Sequence, residues 1–388
     1  MIQNGHMSII HRSIHKSLLA DLNKKIVLLV GPRQVGKTTF SKNLLKSYDY
    51  LNFDLDKDKI KIVKQLWDRE KDIIIFDEIH KMRNWKQWIK GIYDTEGLSQ
   101  KIIVTGSARL DVAKKMGDSL AGRHFTYHML PLDLKELNSS ESVEKNFSKL
   151  MKYSGFPEPF FENSNSFHLK WQKSHMDLII RQDLVSYENI RDVSSIELMA
   201  EMLRGRVSAP LSYNSLAIDL QRDPKTIQKW MDYLENLFVI FKVLPYSKNI
   251  ARSVLKEPKY YFYDYTRLDE NDGAQFENFV AVSLKKEIHY LNEVMGIESK
   301  LWFLKKKGSL ELDFFIERKK MPPVLIEVKT SDTEVSRSFN MFDQYFDNAV
   351  KIQLVKNLKK DFSNKDNVKV LNALHYLANF DLSKPQPI

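Results

Sequence analysis

Cysteine is absent from all 388 residues, which excludes disulfide bridges and thiolate chemistry and fits a reducing, cytoplasmic setting. No apolar run approaches the ~20 residues of a membrane-spanning helix, so no membrane contact is expected. The first residues lack the apolar core of a secretory signal, and Met1–Met7, which include Gly5-His6-Met7, are set aside from fold reasoning. An acidic excess is missing too. The 60 Lys and Arg outnumber the 50 Asp and Glu, and the formal net charge of +10 permits contact with nucleic acid. What remains is an ordinary globular composition, 43% hydrophobic and 28% charged. The length exceeds one compact core, so two or three domains are expected.

The most informative stretch is Gly31-Pro32-Arg33-Gln34-Val35-Gly36-Lys37-Thr38-Thr39. It follows the apolar run Ile26–Val30 and leads into Phe40, Leu44 and Leu45 at helical spacing. Strand, glycine-bounded loop and helix are the context in which a P-loop pattern becomes specific. Backbone N–H groups of such a loop, with the helix N-terminus, suit a phosphate chain. Lys37 is expected to reach the β- and γ-phosphates of ATP and Thr38 to hold Mg²⁺. Downstream, Asp72-Ile73-Ile74-Ile75-Phe76-Asp77-Glu78 is an apolar strand ending in two acids. Asp77 would hold Mg²⁺ through its water shell, and Glu78 would polarise the attacking water. The strand Lys101–Ser107 ends in small polar residues, of which Thr105 or Ser107 could sense the γ-phosphate. Arg109 and Arg123 are candidate arginine fingers supplied across a subunit interface, Arg123 the better because Gly122 allows close approach.

Residues 136–205 are helix-forming and polar, broken at Gly155-Phe156-Pro157-Glu158-Pro159, which is expected to be a rigid turn. From Ser212 the pattern changes. Leu216, Ala217 and Leu220 mark a short helix. Asp223 and Pro224 then cap and open a second, with Ile227, Trp230, Met231 and Leu234 on one face. Strands at 238–244 and 260–263, joined by a basic loop with Lys248, Arg252 and Lys256, complete a winged helix-turn-helix pattern. Lys225, Gln228 and Lys229 would face DNA or a protein partner.

The last third holds an amphipathic helix from Gln275 and strands at 301–304, 310–316 and 324–329. Strand alternation puts Glu327 and Lys329 on one face of their strand and turns Asp313 away from Leu312 and Phe314. Neighbouring strands could bring the three together, where two carboxylates suit Mg²⁺ and Lys329 could position a nucleophile. Leu382–Ile388 reads as a loose tail. His80, His124 and His128 have no partners at metal-ligand spacing and read as structural.

Two resemblances follow from these residues. Asp313, thirteen intervening residues and Glu327-Val328-Lys329, with Glu277 on the preceding helix, resemble the PD-(D/E)XK nuclease superfamily. Leu312 stands where that superfamily often has proline. The P-loop, Asp77-Glu78-Ile79-His80, Thr105-Gly106-Ser107-Ala108-Arg109-Leu110 and Leu120-Ala121-Gly122-Arg123 resemble the AAA+ ATPases. With Gly155–Pro159 and Arg181-Gln182-Asp183-Leu184, the chain looks like a bacterial and archaeal AAA-type ATPase family with an uncharacterised C-terminal domain. A second sensor arginine in a helical lid is not evident, so a standard closed ring is not implied.

The resemblance implies an α/β multidomain fold. A RecA/AAA+-like parallel sheet with flanking helices (8–135) would precede a helical connector (136–205), a winged helix-turn-helix (206–268) and a restriction-endonuclease-like α/β domain (269–382). The implied cofactors are ATP and Mg²⁺ and the implied partner is DNA, with homo-oligomerisation also allowed. The alternative is a nucleotide-switched scaffold whose nuclease-like domain cuts nothing.

Overall fold

The computed structural model describes residues 10–106, 120–138, 140–184, 192–247, 256–269, 271–306, 310–346 and 348–384. Five strands, β1 (Ile26–Val30), β2 (Tyr48–Asn52), β3 (Ile73–Asp77), β4 (Lys101–Thr105) and β5 (His124–His128), form a parallel sheet in the order β2-β3-β4-β1-β5. The central strands β1, β3 and β4, rich in Ile, Val and Leu, are buried on both faces. Ile26, Leu28, Ile74, Phe76 and Val104 pack on one side, and Val27, Leu29, Ile73, Ile75 and Ile103 on the other. Adjacency of β3, β4 and β1 brings the carboxyl ends of three strands together, and those ends carry Asp77, Thr105 and the P-loop.

The connector consists of helices Val143–Tyr153, Pro157–Glu162, Asn165–Leu178 and Val193–Leu203, with a π-helical turn at Ile179–Leu184. The expected rigid turn is narrower than Gly155–Pro159. Pro157 instead occupies the first turn of a helix, where its missing N–H costs nothing. Gly155 is required for packing, because a Cβ there would lie 2.6 Å from the Leu132 carbonyl oxygen.

Helices Tyr213–Leu220 and Pro224–Asn236 follow, and the Asp223 side chain accepts from the Lys225 N–H as a cap. Strands β6 (Ile240–Pro245) and β7 (Lys259–Phe262) pair antiparallel. They do not stand alone. β6 also pairs parallel with β8 (Ser299–Lys305), followed by β9 (Glu311–Arg318), β10 (Val324–Lys329), β11 (Val350–Val355), β12 (Phe362–Ser363) and β13 (Val368–Asn372). The result is one eight-stranded sheet, β12-β13-β11-β10-β9-β8-β6-β7, running across the boundary expected at residue 268. A single apolar cluster extends from Leu130 to Leu382, with the long helix Asp272–Glu293 packed into it. Leu382, expected in a loose tail, is fully buried, and its N–H donates to Glu287 at 3.1 Å. Among the described residues no helix is long and apolar enough to cross a membrane.

Candidate functional site

The P-loop leaves β1 through Gly31, whose φ of 151° and whose contacts admit no side chain: a Cβ would sit 2.1 Å from the Met129 carbonyl oxygen. Pro32, Arg33, Gln34 (φ 59°) and the buried Val35 carry the loop to Gly36 (φ 95°), which precedes the helix Lys37–Lys42 containing Thr38 and Thr39. Lys37 is buried and donates to the Gly31 and Pro32 carbonyls at 2.8 and 2.7 Å. Burial lowers its pKa to about 8, against the pull of Glu78 and Asp77. Its cationic head is thus held by neutral oxygens of the loop it would serve.

Asp77 is the hub. Thr38, Thr105 and Tyr50 donate their hydroxyls to it at 2.9, 2.6 and 2.8 Å. Tyr50 is absent from the sequence reading. It lies on β2, whose register pairs it with Ile75, and only the sheet brings it to Asp77. Oxygen donors from Thr38 and Asp77 on one spot fit Mg²⁺. Glu78 has a left-handed backbone (φ 56°), a strained conformation for glutamate. Burial pushes its carboxyl upward, with Lys81 at 3.2 Å opposing. His80 lies 3.6 Å from the same carboxylate. Beside the loop, a cavity of about 600 Å³ is lined by His11, His15, Val35, Gly36, Phe40 and Met129.

Arg33 forms a two-pronged pair with Asp183 of the connector, at 2.6 and 2.5 Å. This ties the P-loop to a residue 150 positions away that the sequence reading noted only as part of a motif. Arg123 lies elsewhere. It precedes β5, its carbonyl accepts from the Ile26 N–H at the start of β1, and its guanidinium binds Asp94 at 2.6 and 3.2 Å. That is the amino end of the strands, while the P-loop leaves their carboxyl end, so Arg123 takes no part in this chain's own nucleotide site. Ser107 and Arg109 lie outside the described residues, as do Lys248 and Arg252.

In the second sheet, β9 and β10 pair with Phe314 opposite Ile326. This brings Asp313 to the Val328 N–H at 2.9 Å and leaves Lys329 beside Glu327 at 2.8 Å. Glu327 is 5% exposed, and its Oε2 is buried with no hydrogen-bond partner. Burial and Asp313 push its pKa up to about 7. An orphaned buried carboxylate oxygen beside a second acid fits a divalent cation. Glu277 does not complete that pair. It accepts from Tyr261 at 2.7 Å and faces Lys259 at 3.4 Å, and burial with Asp313 raises its pKa to about 8. Among the described residues, Glu277, Asp313 and Glu327 do not form a trio with all ligand atoms within 4.8 Å.

Lys259 is the group the sequence reading missed. It is 1% exposed, and its ammonium lies 2.6 Å from Glu311, 3.4 Å from Glu277 and 3.6 Å from Asp313. Burial opposes its charge, but the three carboxylates prevail and hold its pKa above the ordinary lysine value. A lysine in the tyrosine-rich strand Lys259–Phe262 was the available signal.

Residues 23–138 match the family described as AAA domain, residues 144–266 a domain of unknown function (DUF8612), and residues 272–376 another (DUF4143). The chain is 25% identical over 365 residues to uncharacterized protein MJ1544 of Methanocaldococcus jannaschii, covering 84% of this chain and 79% of that one. It is 23% identical over 339 residues to uncharacterized protein Rv2008c of Mycobacterium tuberculosis, covering 85% and 74%. Among solved structures, a RuvB variant of Thermotoga maritima is 16% identical with a TM-score of 0.31, over 60% of this chain and 90% of that one. ORC1 of Aeropyrum pernix, in complex with DNA, is 10% identical with a TM-score of 0.34, over 70% and 93%. Similarities this loose define neither a partner nor a site.

Proposed function

We propose that this chain is an ATP-hydrolysing protein in which Lys37, Thr38, Asp77 and Glu78 do the chemistry. The observation that carries the reading is the meeting of Lys37, Thr38, Asp77 and Thr105 at three adjacent strand ends, within the segment matching the AAA domain. Lys37 would exchange the Gly31 and Pro32 carbonyls for the β- and γ-phosphates, while the loop N–H groups cradle the chain. Thr38 and Asp77 would hold Mg²⁺, which supplies charge neutralisation at the phosphate oxygens when bound. Glu78, with its raised pKa, is suited to take the proton of the attacking water, and Thr105 to hold Asp77 in register. The neighbouring cavity has the size of a nucleoside site. Lys37→Ala should abolish ATP turnover in a folded protein; normal hydrolysis by that variant would end the assignment.

For the C-terminal half, the orphaned Glu327 oxygen beside Asp313 and Lys329 supports Mg²⁺-dependent phosphodiester cleavage, with DNA as substrate. Asp313 and Glu327 would hold the ion and Lys329 would orient the nucleophilic water. Lys225, Gln228 and Lys229, exposed on the helix Pro224–Asn236 of a winged-helix-like unit, are the residues for DNA contact. Homo-oligomerisation belongs to this reading only if an arginine from a second copy serves the nucleotide. A second reading, a nucleotide-switched scaffold that cuts nothing, is favoured by Lys259, which already neutralises the acids that would otherwise attract a second ion.

The two readings separate on incubation with Mg²⁺ or Mn²⁺ and duplex, single-stranded and branched DNA, with and without ATP, beside Glu327→Ala. Cleavage lost in the variant supports the nuclease. Intact ATP hydrolysis without cleavage supports the scaffold. Alanines at Lys225, Gln228 and Lys229 should weaken DNA binding and flatten its salt dependence.

A further inference from the structure

We infer that His128, His289 and Glu293 form a binding site for a transition-metal dication of the Zn²⁺ class, at the seam between the nucleotide-binding sheet and the C-terminal unit. The site is independent of both the P-loop and the Glu327 pocket. His128 ends β5, and His289 and Glu293 lie one turn apart on the long helix Asp272–Glu293. Among the described residues this is the trio of His, Asp and Glu side chains whose ligand atoms all lie within 4.8 Å of one another. Both imidazoles bring Nδ1 to one carboxylate oxygen, Glu293 Oε1, at 2.5 Å from His128 and 2.9 Å from His289. The rings stack with centroids 4.0 Å apart.

Two features suit a metal. Two imidazole nitrogens and one carboxylate are a common zinc donor set, which leaves a fourth position for water or another ligand. The donors are already fixed: His128 by its strand pairing with Val30, and Glu293 by a hydrogen bond from the His128 N–H to Oε2 at 2.7 Å. At a tetrahedral ion, metal–ligand bonds of about 2.0–2.2 Å place the donors about 3.3–3.6 Å apart, so the two imidazole nitrogens would each move roughly 0.5–1 Å away from Glu293 Oε1. His289 also lines a cavity of about 330 Å³, which offers an entry path, and Lys242 there is paired with Glu235 at 2.7 Å.

The position gives the ion a consequence. His128 directly precedes Met129, whose carbonyl oxygen presses on Gly31 of the P-loop. The helix that supplies Glu293 carries Glu277 sixteen residues earlier, about 24 Å along its axis. A metal would therefore clasp the floor of the nucleotide loop to the rod that reaches the acid pocket.

The test uses the full chain, stripped of metal and titrated with Co²⁺ in excess Mg²⁺, so that oxygen-ligand sites are filled. One Co²⁺ per chain with visible ligand-field bands is expected, displaced by equimolar Zn²⁺, which should also raise the melting temperature by several degrees. The bands should be lost in His289→Asn and Glu293→Gln. They should persist in Lys37→Ala, in Glu327→Ala and in His11→Ala, which removes the neighbouring His11–His15 pair at 4.9 Å. X-ray absorption at the zinc edge of the wild-type adduct needs no variant and should read two imidazoles. No stoichiometric band in the wild type, bands unchanged in both folded variants, or an imidazole count other than two would overturn the assignment and leave a hydrogen-bonded triad.

Discussion

The nucleotide end of the first sheet and the acid pocket of the second each gather carboxylates and a buried lysine, and they manage the charge in opposite ways. Around Asp77 the partners are neutral hydroxyls, and Lys37 rests on backbone carbonyls, so acid and base stay unpaired with each other. Around Asp313 the lysine is driven into the acids, and Lys259 touches three carboxylates at once. Neutral partners can be exchanged for a charged ligand at little electrostatic cost. An internal salt cluster must first be broken, which leaves a buried charge exposed to a low dielectric. The first arrangement is poised to take a phosphate chain; the second holds its own charges together.

The largest expected effect tests the first half of this contrast. Gly31→Ala places a Cβ 2.1 Å from the Met129 oxygen in a backbone region that penalises side chains. Nucleotide binding should be lost and stability should fall by about 3 kcal/mol or more, measured by calorimetry and denaturant unfolding. A variant that binds ATP normally would mean the loop does not pack as described.

Next is the salt cluster. Lys259→Met leaves Glu277, Glu311 and Asp313 without their counterion and should cost about 3–5 kcal/mol near neutral pH. The pH sign follows from Glu277. Its folded pKa, about 8, lies above the ordinary glutamate value, so the folded state holds a proton that the unfolded chain releases. Its contribution is present at low pH and is lost as pH rises through about 8. The melting temperature of Lys259→Met should therefore decline more steeply from pH 5 to pH 8 than that of the wild type, and Glu277→Gln should flatten the wild-type decline. A pH-independent loss in Lys259→Met would point to packing rather than charge. The smallest effect belongs to Arg123→Ala: an exposed pair with Asp94 at the amino end of the strands should leave ATP turnover by a single chain unchanged.

The nucleotide site was legible because its signal is local. A strand, a glycine-bounded loop and a helix lie within Ile26–Lys42, and Asp77-Glu78 ends a run of β-branched residues. The acid pocket was legible in part, since alternation along β9 and β10 places Asp313, Glu327 and Lys329. Tyr50, Lys259 and Glu311 carry no such pattern. His128 read as structural because its partners lie more than 150 residues away, although His289 and Glu293, at i and i+4 on a helix, were a readable half of the site. The boundary expected at 268 met a sheet that crosses it because strand pairing is a backbone property, indifferent to which residues line the edge of β6.

Sequence alone therefore determined the groups whose chemistry depends on neighbours within one turn or one strand: the phosphate loop, the acid pair and the helix caps. Tertiary structure decided where charges meet. Lys259 is a counterion, Arg123 a partner of Asp94 and His128 a ligand candidate only because distant segments pack against them, and the energy of a buried charge depends on its nearest few ångströms rather than on its place in the chain.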